Sequence, residues 1–158
     1  AILLNHLIQR SGSGLVMEVF GTDLSEESCK TARAGLYSAE KIEDVPSQMK
    51  GDAFEPEGAL YRISPGIRKK VRFIVHNLFS PPPFSMLDLI VCRNVLIHFE
   101  PDGRGRINGY FHESLRDGGL LMLGKSEALG SDALDLFELV HPRSKIYRKT
   151  GESHVKEE

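Results

Sequence analysis

The chain carries very little cysteine. Among 158 residues there are two, Cys29 and Cys92, in no C-x-x-C pair and at no metal-ligand spacing, so neither a metal site nor a dithiol centre is expected. Two free thiols suit a reducing cytoplasm better than secretion, and Cys92, inside an apolar run, reads as a small buried hydrophobe. Long apolar segments are missing too. None approaches the ~18 residues of a bilayer span, and no signal-peptide pattern opens the chain, so no membrane insertion is expected and the localisation read is cytoplasmic. Charge of either sign is nearly balanced, at a net −2, which removes any global reason to expect nucleic acid or an anionic membrane as partner. One local excess remains: Arg62, Arg68, Lys69, Lys70 and Arg72. Its plain reading is a solvated loop and strand edge, with an acidic protein partner as the alternative. A starter methionine is also lacking. Ala1 to Arg10 reads as the middle of an amphipathic helix with no N-cap signal before it, and the expectation is a piece of something longer.

What is present is ordinary in bulk: 41% hydrophobic and 27% charged residues, enough for one domain with a single core. After a Ser11–Gly14 loop, Val16 to Asp23 reads as a strand ending in a carboxylate. Ser25 is a credible helix N-cap, with Glu26 and Glu27 in the first turn where the helix dipole favours them. Cys29, Ala32 and Leu36 share a narrow apolar face, and Gly35 and Tyr37 close the helix. A short helix interrupted at Pro46 fits Ile42 to Met49, Ala59 to Ile63 alternates like a half-buried strand, and Ser64-Pro65-Gly66 reads as a turn. Val71 to His76 is the next strand. Three prolines, Pro81 to Pro83, then stiffen the approach to the apolar run Leu87 to Cys92, read as a buried strand. Pro101 suits a helix's first turn, and Ile107, Tyr110, Phe111 and Leu115 supply its stripe. Asp117-Gly118-Gly119 is read as its end. Leu120 to Gly124 is a buried strand, and Phe137 to Val140 with Lys145 to Lys149 reads as a terminal hairpin.

Strands alternating with helices indicate an α/β fold with a mostly parallel sheet. Such sheets bind ligands at the carboxyl ends of their strands. Three strands here end in polar groups, Asp23, Asn77 and Arg93-Asn94, and these residues are expected to line one crevice. A carboxylate in the position of Asp23 can accept from both ribose hydroxyls of a nucleotide, although an Asx turn ahead of Ser25 explains it equally well. Asn77 can offer an adenine edge a donor and an acceptor, or serve as a strand-end turn residue. A cation and an amide interrupting an apolar run cost several kcal/mol (about 2–7 for a neutral polar group alone) if buried unpaired. Arg93-Asn94 therefore marks either a ligand site or a structural pairing with Asp88 or a backbone carbonyl.

Taken in order, Gly21-Thr22-Asp23, Ala32 to Tyr37, His76-Asn77-Leu78, Cys92 to Ile97 and Leu123-Gly124-Lys125-Ser126-Glu127 resemble the CheR family of chemotaxis receptor methyltransferases. The resemblance runs from Val16 to about Lys149 and is closest to the branch fused to methylesterase and sensory modules. It implies a Rossmann-like fold that uses S-adenosylmethionine as cofactor and methylates glutamate side chains on the cytoplasmic helices of chemotaxis receptors. The site residues it implies are Asp23, Asn77, Leu78, Arg93 and Asn94 for the cofactor, with Arg93 and His98 beside the reacting end. Residues 1–150 would then form a partial catalytic domain, with a small inserted β-subdomain at about 38–70 that in some members docks a receptor tail peptide. Residues 151–158 would be a polar tail. The family's first strand and glycine-rich loop would fall before Ala1, as would its helical N-terminal domain. The family's usual Ile-Tyr-Phe is Ile97-His98-Phe99 here. That departure keeps open a second reading, a degenerate, non-catalytic docking or sensing module.

Overall fold

The computed structural model describes residues 1–130 and 133–150; the tail expected at 151–158 lies outside them. The chain divides into two compact units, the first running from Ala1 to Asn77 and the second beginning at Leu78.

The first unit opens with α1 (Ile2–Ser11), closed by Gly12 in the left-handed conformation. Strand β1 (Val19–Asp23) is shorter than its sequence pattern, because Val16 is almost fully solvent-exposed. Ser25 caps α2 (Glu26–Ala34) by accepting the Ser28 amide at 3.1 Å, as its side chain predicts. Gly35, at φ +64°, then turns the chain. Leu36, counted above in the helical stripe, instead begins β2 (Leu36–Tyr37). The left-handed glycine ends the helix one residue before the periodicity does.

Between Tyr37 and β5 (Val71–Val75) lie α3 (Ser47–Ala53), β3 (Phe54–Glu57), β4 (Leu60–Ile63) and α4 (Pro65–Arg68). Pro46 precedes α3 rather than interrupting a helix, and Pro65 is the first residue of α4 rather than part of a turn. Both follow from proline's fixed φ and missing N–H, which a first helical turn tolerates. Strands β2, β4 and β3 form an antiparallel sheet in that order, while β1 and β5 pair in parallel. The core of this unit is Ile42, Ala53, Phe54 and Ile67, with Tyr37, Tyr61 and Ile63 packed around it.

Four of the five basic-cluster residues are engaged internally. Arg62 donates to the Ala34 carbonyl and pairs with Glu57. Arg68 donates to the Arg33 carbonyl, Lys70 to Asn5 Oδ1, and Arg72 pairs with Glu18. These side chains tie elements of the first unit together, which favours the structural reading of the cluster.

In the second unit, β6 (Leu87–Cys92) leads through a short 3₁₀ turn at Leu96–His98 into α5 (Pro101–Ser114), then into β7 (Leu115–Leu123). Strands β6 and β7 are parallel. An antiparallel pair, β9 (Ile146–Lys149) and β8 (Phe137–His141), extends the sheet in the order β6-β7-β9-β8. The helix ends at Ser114, not at the glycines. Leu115 already pairs with Leu87, and the register shifts before Leu120 meets Leu89, so Arg116 to Gly119 form an irregularity inside the strand. Gly119 is required there, since a Cβ would sit 2.9 Å from the Leu87 carbonyl oxygen. Gly103 of α5 also has a packing reason, because a Cβ would approach the Phe79 ring to 3.1 Å.

Ile107 and Phe111 from α5, Leu115, Leu121 and Leu123 from β7, and Leu96 form the core of this unit. The apolar run of β6 departs from the buried strand expected of it. Leu89 is 39% exposed and Val91 57% exposed. Among the described residues β6 has a strand neighbour on one side, β7.

Candidate functional site

The carboxyl ends of the parallel strands carry the polar residues singled out by sequence. In the first unit Asp23 ends β1, and the pairing with β5 continues one step further as the His76 amide donates to the Asp23 carbonyl at 2.9 Å. Asn77 follows directly, so Asp23 and Asn77 share one edge, both exposed. Asp23 does form the Asx turn considered above: its Oδ1 accepts the Ser25 amide at 2.8 Å. That bond orients the carboxylate without burying it.

In the second unit Arg93 and Asn94 leave the carboxyl end of β6 with exposed side chains, so the burial cost that would have demanded structural partners does not arise. Asp88, the acid proposed to pair with Arg93, is held by Arg116 at 2.6 Å. His98 is exposed at the end of the 3₁₀ turn, and Leu78, at the start of this unit, packs against its core.

Asn94 sits at φ +59°, in the left-handed region. That conformation turns successive backbone N–H groups to one side. One carboxylate receives them all. Glu127 Oε2 accepts the Asn94 amide at 2.9 Å and the Gly124 amide at 2.7 Å, and Oε1 accepts the Val95 and Leu96 amides at 2.8 and 2.7 Å. Glu127 is only 4% exposed. Burial alone would raise its pKa, but the amides of Asn94, Gly124, Val95 and Leu96 outweigh it and hold the carboxyl below its ordinary range. The Glu127 amide returns a bond to the Gly124 carbonyl at 3.0 Å, a reciprocal arrangement like a capping box.

A side chain at Gly124 would displace the carboxylate of this knot, because a Cβ there would lie 2.5 Å from Glu127 Oε2 and 3.0 Å from Asn94 Oδ1. Cys92 directly precedes the turn, and its thiol is pushed up to about 12 by burial first and the Glu127 charge second, which makes it a poor nucleophile at neutral pH. Sequence reasoning quoted Glu127 without a role. The available signal was the Gly-x-x-Glu spacing after a strand, which mimics the capping box with glycine in the capping position.

Each unit by itself offers groups of a kind that a nucleoside-bearing cofactor can use. Asp23 presents an oriented carboxylate to solvent, Asn77 an exposed amide, and Arg93-Asn94 a cation and an amide on a rigid turn. Among the described residues no cluster of His, Cys, Asp or Glu could hold a metal ion, and no helix is long and apolar enough to cross a membrane.

Parallel strands crossed by helices, with polar groups at their carboxyl ends, define an α/β nucleotide-binding class. Residues 1–146 match the family model "CheR methyltransferase, SAM binding domain", and the chain belongs to that family. Its cofactor is S-adenosylmethionine. Relatives include a chemotaxis protein methyltransferase of Listeria monocytogenes, 37% identical over 78% of this chain and 47% of that protein. An uncharacterized 104.1 kDa protein of Rhodobacter capsulatus is 36% identical over 94% of this chain and 15% of its own length. The chain thus spans under half the length of either relative. Among solved structures it is similar to the CMeT domain of the citrinin polyketide synthase, at 20% identity over 82% of this chain and 26% of that one, with a TM-score of 0.47.

Proposed function

We propose that this chain is the cofactor-binding part of a cytoplasmic protein-glutamate O-methyltransferase acting on chemotaxis receptors. The observation that carries the reading is the set of oriented polar groups at the strand ends, Asp23, Asn77 and the rigid Arg93-Asn94 turn, in a chain of this family. Asp23 would accept from the ribose hydroxyls, Asn77 and Leu78 would sit against the adenine, and Arg93 and Asn94 would complete the cofactor site. Arg93 and His98 would stand nearest the reacting end. The β2-β4-β3 sheet would be the inserted subdomain and would take a receptor tail peptide as partner, in addition to the receptor helices that carry the substrate glutamate.

When bound, the cofactor would supply an electrophilic methyl on a sulfonium, and methyl transfer to a carboxylate oxygen would give a methyl ester and S-adenosylhomocysteine. A substrate carboxylate is already ionised at neutral pH. The protein therefore needs no strong base, and its residues contribute by positioning and electrostatics. Titration calorimetry of S-adenosylhomocysteine against the full-length protein tests the cofactor assignments, and absence of heat would overturn them.

The exposed His98 keeps the second reading, a non-catalytic docking module, in view. On the enzymatic reading the full-length protein transfers methyl groups with His98 in place, and His98→Tyr changes the rate by less than about tenfold, or about 1.4 kcal/mol in the barrier. Transfer that appears only in His98→Tyr would favour the non-catalytic module instead.

A further inference from the structure

We propose that Glu127 is the positioning residue of the cofactor edge: its carboxylate holds the Arg93–Leu96 turn and so fixes where the Arg93 and Asn94 side chains are presented. The inference rests on the cofactor reading above and adds a residue that does not itself touch the ligand.

Three observations converge on it. The amides of Asn94, Val95 and Leu96 all point at one buried carboxylate at 2.7–2.9 Å. A left-handed asparagine with three convergent N–H groups forms an anion-binding concavity, and here the anion comes from the chain itself. The same carboxylate binds the Gly124 amide, which joins the turn after β6 to the turn after β7. Finally, the Asn94 side chain lies over Gly124 with no room for a methyl group between them. The backbone of Asn94 and the seat of its side chain are thus set by Glu127 and Gly124 together.

The chemistry singles out glutamate. Glutamine would keep one acceptor oxygen and turn an NH₂ donor toward amides that are themselves donors. Aspartate is one methylene short of the turn. A role confined to packing would tolerate glutamine, which has the same shape.

The test is S-adenosylhomocysteine calorimetry on the full-length protein as wild type, Glu127→Gln, Asn94→Ala and the double variant. Glu127→Gln is expected to weaken binding at least tenfold with unchanged stoichiometry. In the Asn94→Ala background the further loss should be smaller, because part of the Glu127 effect passes through Asn94 and only the part that passes through Arg93 remains. An unchanged Kd in Glu127→Gln, or the same fold-loss in both backgrounds, overturns the proposal. If Glu127→Gln does not fold, Gly124→Ala carries the same expectation, and a wild-type Kd in that variant overturns it. No binding by the wild type overturns the cofactor assignments and the proposal with them, whereas wild-type binding with indifferent variants overturns the proposal alone.

Discussion

Asp23→Ala in the full-length protein is expected to weaken S-adenosylhomocysteine binding by about 100-fold, since two charge-assisted hydrogen bonds at the low end of their range, ~1.5 kcal/mol each, sum to about 3 kcal/mol. The carboxylate stands at the carboxyl end of β1, exposed, with Oδ1 accepting the Ser25 amide at 2.8 Å. Carboxylate oxygens accept more than one hydrogen bond, so the turn and a ribose diol can share the group. Asp23→Asn separates the two roles. Its amide oxygen can still accept from Ser25, but the charge and one acceptor are gone, and an intermediate loss of about tenfold is expected, equivalent to ~1.4 kcal/mol. If both variants bind like the wild type, Asp23 serves the turn alone and the ribose assignment is wrong.

The second large effect is on stability. Glu127→Ala leaves the amides of Asn94, Val95, Leu96 and Gly124 without their acceptor. Each buried donor left unsatisfied costs about 1–3 kcal/mol, less where water enters the space vacated. A loss of about 4 kcal/mol is expected, large for a single substitution, and scanning calorimetry would show it as a fall of roughly 10 °C in Tm. A fall of under ~2 °C would mean that the turn holds itself without the carboxylate.

The same residue gives a pH dependence whose sign is fixed. Its pKa is lowered on folding from an ordinary 4.5, so the unfolded chain binds the proton more tightly. The stabilisation is therefore fully present above the ordinary value and is lost as pH falls through the lower folded one. The stability advantage of wild type over Glu127→Ala should narrow as pH falls through that acidic window and stay constant above it.

Much of the first unit was legible because local chemistry decides it. Ser25 caps α2 through its hydroxyl, Asp23 makes the turn its position suggests, and β5 forms where a strand was read. Several of the boundary differences share one cause, in that glycine and proline act by conformation rather than by identity. Gly35 ends α2 because it is left-handed, so Leu36 falls into a strand. Pro65 starts a helix because a first turn needs no N–H from it. Gly118 and Gly119 looked like a helix end but accommodate an irregularity in β7, where the backbone of Leu87 comes close.

At the candidate site the acceptors and donors were legible as polar interruptions at strand ends. Their stereochemical support was not. Nothing in the composition around Asn94 announces a left-handed residue, and its acceptor, Glu127, lies 33 positions away. Exposure of Leu89 and Val91 was equally hidden, since an apolar run indicates what a strand can bury and not what lies beside it.

Methyl transfer from S-adenosylmethionine to receptor carboxylates is tested by following the methyl group. The full-length protein would be incubated with receptor-bearing membranes and methyl-labelled S-adenosylmethionine, and the labelled receptor then treated with mild alkali. Glutamate methyl esters release the label as volatile methanol, and this is the expected result. Label that stays on the protein after alkali, or no incorporation by a protein that binds S-adenosylhomocysteine, would contradict it.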